Sequence, residues 1–129
     1  MSSVKSVEIN KVVYNVVQAP ANKQKELLSL IGAKIALNSA VSGVDEIDSD
    51  MLFGALLSLS ETELDVIADI VLYQTIKKDG KAVVSVGDFQ NIMTDYYRLI
   101  AKAIEVNLSD FFTYLDSVNK QTREVQKTV

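Results

Sequence analysis

The sequence predicts a mainly α-helical α+β fold with about five helices and an N-terminal β-hairpin. A third short strand is compatible with the sequence. Three observations predict this class. β-branched residues dominate residues 4–17, apolar residues recur at three- and four-residue steps along much of the remaining chain, and capping or turn residues separate these segments. The 129 residues, 48% of them hydrophobic, suffice for one core without metals or disulfides. We expect one helical domain over residues 1–118 and a polar C-terminal tail over residues 119–129.

Residues 4–17 are predicted to form the hairpin, with Asn10 and Lys11 as its two-residue turn. In the register that this turn sets, the facing residues on the apolar side are Ile9 and Val12, Val7 and Tyr14, and Lys5 and Val16. A slip of one residue would mix the two faces, so the pattern favours this register. Because an isolated hairpin is only marginally stable in water, its apolar face must pack against helices.

The first helix is predicted after Pro20, where the apolar period changes to that of an amphipathic helix. Its apolar positions are Leu27, Leu28, Ile31 and Ile35. Asn22 is the predicted N-cap. Gly32 either stops or bends this helix or lies inside one that continues to Leu37, and we favour the stop or bend. Residues 39–50, which contain Ser, Gly and Asp, are predicted to form an exposed loop.

Two further helices are predicted in the middle of the chain. A short apolar helix occupies about residues 50–59, and Ser60 and Glu63 then have the spacing of a capping box that begins the next helix. This next helix carries two apolar stripes, one of Leu64, Ile67, Ala68, Val71 and Leu72 and the other of Val66, Ile70 and Tyr73. Because a helix covered on one side would leave one stripe exposed, we predict that it is the central helix. Its end is predicted at residues 77–80, where two lysines precede Asp and Gly.

The last third of the chain predicts a strand and two helices. Residues 81–86 are β-prone and are the candidate third strand of the hairpin sheet. A helix of about five turns is predicted from Gly87 or Asp88 through Ile104, where the helical period is clearest. Residues 107–110 predict a break and a restart, and the last helix should run from about residue 109 to residue 119.

The composition excludes most enzyme chemistry. The chain has no His and no Cys, which removes imidazole bases, thiol nucleophiles and Cys/His metal sites. The sequence is compatible with a Ser nucleophile and a Lys base, but no sequence motif indicates such a pair. Four closely spaced acids suggest a calcium loop, namely Asp45, Glu46, Asp48 and Asp50. Their surroundings do not match the EF-hand pattern, so we predict no metal, no cofactor and no catalytic residue.

The charge is unevenly distributed, with a net charge of −4. Residues 45–70 hold no basic residue and these acids: Asp45, Glu46, Asp48, Asp50, Glu61, Glu63, Asp65 and Asp69. This acidic segment is either a solubilising face, which we favour, or a docking face for a basic partner. A pI of about 4.8 disfavours nucleic-acid binding, and no apolar run is long enough to span a membrane. The N-terminus lacks the apolar stretch of a signal peptide, so we expect a cytoplasmic protein.

Several aromatic residues are adjacent rather than three or four apart. Neighbours on a helix point about 100° apart, so the pair Tyr96 and Tyr97, and the group Phe111, Phe112 and Tyr114, cannot all face one core. Phe53 on the short apolar helix adds to this surplus. We weigh two interpretations equally. Either one member of each pair is a partly exposed amphipathic Tyr or covers a hairpin edge, or these residues form a surface for association with a copy or a partner.

The order of these segments is similar to that of a known protein family. The chain runs through VEINKVVYNVVQAP, KQKELLSLIG, an acidic loop, SETELDVIADIVL and GDFQNIMTDYYRLIAKAIEVNLSDFF. This arrangement resembles the small tail assembly chaperones of long-tailed, non-contractile bacteriophages over about residues 4–118. The helix led by Phe89 and residues 107–112 are the most similar parts.

The resemblance implies a non-enzymatic protein of the host cytoplasm that self-associates and coats the apolar, helical tape measure protein during tail assembly. It implies the tail tube protein as a further candidate partner, and no nucleic acid or membrane. It also implies two product lengths made by ribosomal frameshifting, of which this chain would be the shorter. We expect four residues to contribute to the partner surfaces: Phe53, Tyr97, Phe111 and Tyr114. The alternative is a small acidic adaptor or inhibitor that binds one host protein through residues 45–69.

Overall fold

The structure is a computed structural model that describes residues 3–42 and 49–127, with side chains over residues 3–37 and 51–118. Its elements are β1 (Val4–Ile9), β2 (Val12–Val17), α1 (Ala21–Ser42), α2 (Ser49–Leu57), α3 (Glu61–Val71), β3 (Ile76–Lys77), a 3₁₀ helix (Val86–Phe89), α4 (Met93–Asn107) and α5 (Ser109–Lys127). The described residues thus form a mainly helical α+β fold with an N-terminal hairpin and a short third strand, which confirms the predicted class.

The hairpin has the predicted register. β1 and β2 pair antiparallel, and the pairs include Ile9 with Val12, Val7 with Tyr14 and Lys5 with Val16. Asn10 and Lys11 form the turn with positive φ angles of 49° and 69°, as the turn that matches the strand twist requires. Ile9, Tyr14 and Val16 are buried, so the apolar face packs into the core as expected.

The third strand lies earlier than predicted. β3 pairs antiparallel with β2 through Ile76 and Lys77, whereas residues 81–86 contribute only an isolated bridge from Val83 to Ile76. The predicted end of α3 at residues 77–80 is wrong for the same reason. α3 ends at Val71, which frees the following residues to pair with β2. Residues 77–80 form a turn after β3 instead, in which the Gly80 N–H donates to the Lys77 carbonyl at 2.9 Å.

α1 is one continuous helix through Gly32, so the predicted stop or bend is wrong. Ile31 and Ile35 are fully buried on either side of it, and this packing outweighs the cost of about 1 kcal/mol for an internal glycine. A Cβ at Gly32 would lie 2.9 Å from Cδ1 of Leu28, so a larger residue here would force the Leu28 side chain to move, whereas its distance of 3.7 Å from Cζ of Phe111 is an ordinary contact.

The ends of α1 also differ from the prediction. The Pro20 carbonyl accepts hydrogen bonds from the N–H groups of Lys23 and Gln24, so Asn22 lies in the first turn rather than at the N-cap. Of the predicted loop over residues 39–50, residues 39–42 belong to α1 and residues 49–50 to α2, while residues 43–48 lie outside the described residues.

The long C-terminal helix pair starts later and ends later than predicted. Phe89 is buried at the end of a 3₁₀ helix, and Asn91 has a φ of 69° that no α-helix interior adopts, so α4 begins at Met93. The predicted break is confirmed, because α4 ends at Asn107 and α5 begins at Ser109. α5 continues to Lys127 rather than ending near residue 119.

The core centres on α4 and not on α3, which corrects the predicted central helix. α4 packs against α2, α3, α5, the 3₁₀ helix and β1, whereas α3 packs chiefly against α1 and α4. The buried apolar residues of α4 are Tyr96, Leu99, Ile100, Ala101, Ala103 and Ile104. One face of α4 therefore holds the helices and the sheet together.

Candidate functional site

The described surface carries many large apolar side chains. They are Val4, Val12, Leu28, Leu37, Leu57, Tyr73, Val83, Val86, Ile92, Met93 and Tyr114. Single exposed apolar residues are normal, but grouped ones mark binding surfaces. The grouping of these side chains therefore locates the candidate site.

Phe53 and Tyr97, two of the predicted contact residues, lie together between α2 and α4. Their ring centroids are 5.5 Å apart, and both side chains are half-buried. The neighbouring Tyr96 is buried. One tyrosine of the adjacent pair thus faces the core and the other remains at the surface.

Phe111 and Tyr114, the other two predicted residues, line a groove of ≈ 410 Å³ between α1 and α5. We call it the α1–α5 groove, and its other lining residues are Ala21, Gln24, Lys25, Leu28, Asn107, Leu108 and Asp110. Tyr114 is 63% exposed, whereas Phe112 is buried. The four predicted residues therefore form two separate pairs, one between α2 and α4 and one between α1 and α5.

A further groove was not predicted from the sequence. It measures ≈ 540 Å³, and we call it the Tyr73 groove. Its lining residues are Asp65, Ala68, Asp69, Leu72, Tyr73, Val83, Val84, Ser85, Val86 and Tyr96. Tyr73 is 69% exposed, although its apolar stripe predicted burial. The other two members of this stripe are covered, since Ile70 is buried and Val66 is half-buried, but α3 ends at Val71 and leaves Tyr73 outside the core.

The Tyr73 groove has an acidic rim. Asp65 and Asp69 are exposed on α3, and none of the described residues that line the groove is basic. Burial raises the pKa of the Tyr96 phenol, and the carboxylates of Asp65 and Asp69 raise it further. The groove therefore combines exposed apolar side chains with negative potential.

A basic surface lies at one end of the sheet. Lys11, Lys77 and Lys78 surround a depression of ≈ 400 Å³ between the hairpin turn and the turn after β3, together with Val12, Val13, Asp79 and Gly80. The Lys78 N–H donates to the Val13 carbonyl at 2.9 Å, which holds the two turns side by side. We call this surface the basic corner.

Acidic side chains are the candidate metal ligands of this chain, which has no His and no Cys. No three acidic side chains among the described residues are grouped so as to hold a metal ion. The acids that suggested a calcium loop, Asp45, Glu46 and Asp48, lie outside the described residues, as does the side chain of Asp50. None of the helices in the described ranges is long and apolar enough to cross a membrane.

The comparison with known families shows what this chain is similar to. A family model described as phage tail assembly chaperone protein, TAC, matches residues 5–120, which include the hairpin, all of α1 to α4 and the first half of α5. No curated protein and no solved structure matches the chain significantly.

Proposed function

We propose that this chain, which belongs to the phage tail assembly chaperone proteins, covers the apolar helical surface of the tape measure protein in the host cytoplasm and self-associates along it. The role is non-catalytic. The observation that carries the proposal is the presence of exposed apolar side chains on two separate pairs of helices, α1 with α5 and α2 with α4.

The α1–α5 groove is the first proposed contact surface. Leu28, Phe111 and Tyr114 present apolar surface in a concave site between two helices, a shape that accepts an amphipathic helix. Full burial of one such side chain contributes at most about 1.5–3 kcal/mol. One groove therefore binds weakly, and the proposed strength comes from many copies along one tape measure.

Phe53 and Tyr97 form the second proposed contact surface. Their half-buried rings already contact each other, so a partner would cover a preformed aromatic pair. Rigid aromatic rings lose little conformational entropy on binding, which suits them to contact with many different apolar sequences.

Co-expression with the tape measure protein of the same phage tests the proposal. We expect the wild-type chain to keep the tape measure soluble, and Tyr114→Ser combined with Leu28→Ser to lower its soluble fraction several-fold. Tyr114→Phe, which retains the ring, should resemble wild type. Val4→Ser is the matched control, because Val4 is 58% exposed on β1, outside the grooves. An unchanged soluble fraction with the double variant would rule out the α1–α5 groove, and an insoluble tape measure with wild type would rule out the function.

The acidic adaptor hypothesis makes a different prediction about stoichiometry. An adaptor or inhibitor should saturate at one copy per partner, whereas a coat should bind in many copies along one tape measure. Sedimentation of the purified complex measures this ratio. The tail tube protein is a further proposed partner, and co-purification with it is tested separately.

A further inference from the structure

We propose that copies of this chain associate head to tail, with the basic corner of one copy docked in the Tyr73 groove of the next. This inference rests on the self-association in the proposed function and names the two surfaces that form the contact.

The two surfaces have opposite charge. The Tyr73 groove carries Asp65 and Asp69 with no basic residue among its described lining, and the basic corner carries three lysines and Asp79. The lining residues of the two surfaces do not overlap. Complementary potentials of this kind orient two proteins and accelerate their encounter.

These charges have no partner within the described part of the chain. The ion pairs there are Lys23 with Glu26 and Lys102 with Glu105, each within one helix. Neither the aspartates of the groove nor the lysines of the corner take part in them. A second copy can therefore pair both sets without breaking an existing interaction.

Apolar side chains accompany the charges on both surfaces. Tyr73, Val83 and Val86 are exposed in or beside the groove, and Val12 is exposed in the corner. Exposed ion pairs alone contribute little to stability. The apolar contacts therefore supply most of the affinity, and the charges set the orientation of the two copies.

The contact joins different surfaces of identical chains. Such a heterologous contact leaves one groove and one corner free at the ends of every dimer, so association continues into a ring or an open chain. An extendable array is what coating a long partner requires. A two-fold dimer, by contrast, would use up its interface at two copies.

Charge reversal tests the contact on the purified full chain. One variant carries both Lys77→Glu and Lys78→Glu, and another carries both Asp65→Lys and Asp69→Lys. Sedimentation and light scattering measure the self-association of each variant and of wild type. All four side chains are exposed, and circular dichroism verifies the fold. We expect each variant alone to associate at least about tenfold more weakly than wild type, because like charges then oppose each other. An equal mixture of the two should regain association, because each altered surface then meets an oppositely charged one.

A matched control reverses two exposed basic residues outside the grooves and the basic corner, with Lys5→Glu and Arg98→Glu in one variant. This control should associate like wild type. The proposal is overturned if the charge-reversed variants associate normally, if the control weakens association equally, if mixing restores nothing, or if wild type is monomeric. Tape-measure solubility is measured in parallel. If the charge-reversed variants self-associate like wild type and the tape measure stays soluble, the proposed contact is wrong and the proposed function is retained.

Discussion

At the scale of single residues, the Asn107 side chain joins two distant segments. Its Oδ1 accepts a hydrogen bond from the Ala19 N–H at 2.7 Å, and its Nδ2 donates to the Ala103 carbonyl at 2.8 Å. Gln18 adds a second link, from Nε2 to the Val106 carbonyl at 2.7 Å. The sequence predicts a helix break at residue 107, but it does not predict that this side chain holds the linker between β2 and α1.

We expect Asn107→Ala to lower the free energy of unfolding by about 1–3 kcal/mol, because the Ala19 N–H then loses its partner in a part-buried site. Urea unfolding measures the change. Asn22→Ala is the control, since Asn22 is exposed in the first turn of α1. Equal stability of the two variants would contradict the structural role of Asn107.

At the scale of elements, the N-terminus of α3 follows local rules completely. Ser60 Oγ accepts a hydrogen bond from the Glu63 N–H, and Glu63 Oε1 accepts one from the Ser60 N–H, both at 3.2 Å. These two bonds form the predicted capping box. The hydrogen bonds from the backbone and side chain of Ser60 hold the pKa of Glu63 below its ordinary value of 4.5.

This lowered pKa makes part of the stability depend on pH. The Glu63 carboxylate stabilises the folded chain above pH 4.5, and the stabilisation is lost as the pH falls through the lower folded-state pKa. We expect Glu63→Gln to reduce the difference in unfolding free energy between pH 7 and pH 3. Glu61→Gln, on the same helix turn, is the control. An unchanged pH dependence in Glu63→Gln would contradict the capping role.

Separately, Ser60→Ala should cost about 0.5–2 kcal/mol at neutral pH, because Ala cannot accept the hydrogen bond from the Glu63 N–H. Urea unfolding at pH 7 measures this loss. A cost near zero would mean that water replaces the cap without penalty.

Element boundaries that depend on distant contacts were predicted less well. Gly32 has the local signature of a helix stop, yet α1 passes through it because Ile31 and Ile35 pack into the core. Residues 77–80 look like a helix end, yet residues 76 and 77 pair with β2. In both cases an interaction between elements outweighs a preference of about 1 kcal/mol or less per residue.

At the scale of the whole molecule, the α1–α5 groove is separate from the basic corner and the Tyr73 groove, and the two kinds of surface predict different responses to salt. Raising the ionic strength from about 0.1 M to about 1 M shortens the Debye length from about 10 Å to about 3 Å. We expect self-association through the basic corner to weaken, while binding at the α1–α5 groove persists. Sedimentation of the chain alone and pull-down of the tape measure protein measure the two effects. If high salt releases the tape measure protein together with the dissociation of the self-associated chain, the acidic docking face is favoured instead.

The sequence by itself determined the fold class, the hairpin register, the capping box at Ser60, the break between α4 and α5, and the lack of His and Cys chemistry. Each depends on residues a few positions apart, within one turn or one strand pair, or on composition alone. Its prediction that Phe53, Tyr97, Phe111 and Tyr114 bind a partner stays a prediction.

Only the tertiary structure decided which aromatic of each adjacent group is buried, where α3 ends and β3 begins, and that Tyr73 lies in a groove between α3 and residues 83–86. The physical reason is that exposure and helix ends depend on which distant surfaces compete for the same apolar face, and local periodicity carries no information about that competition.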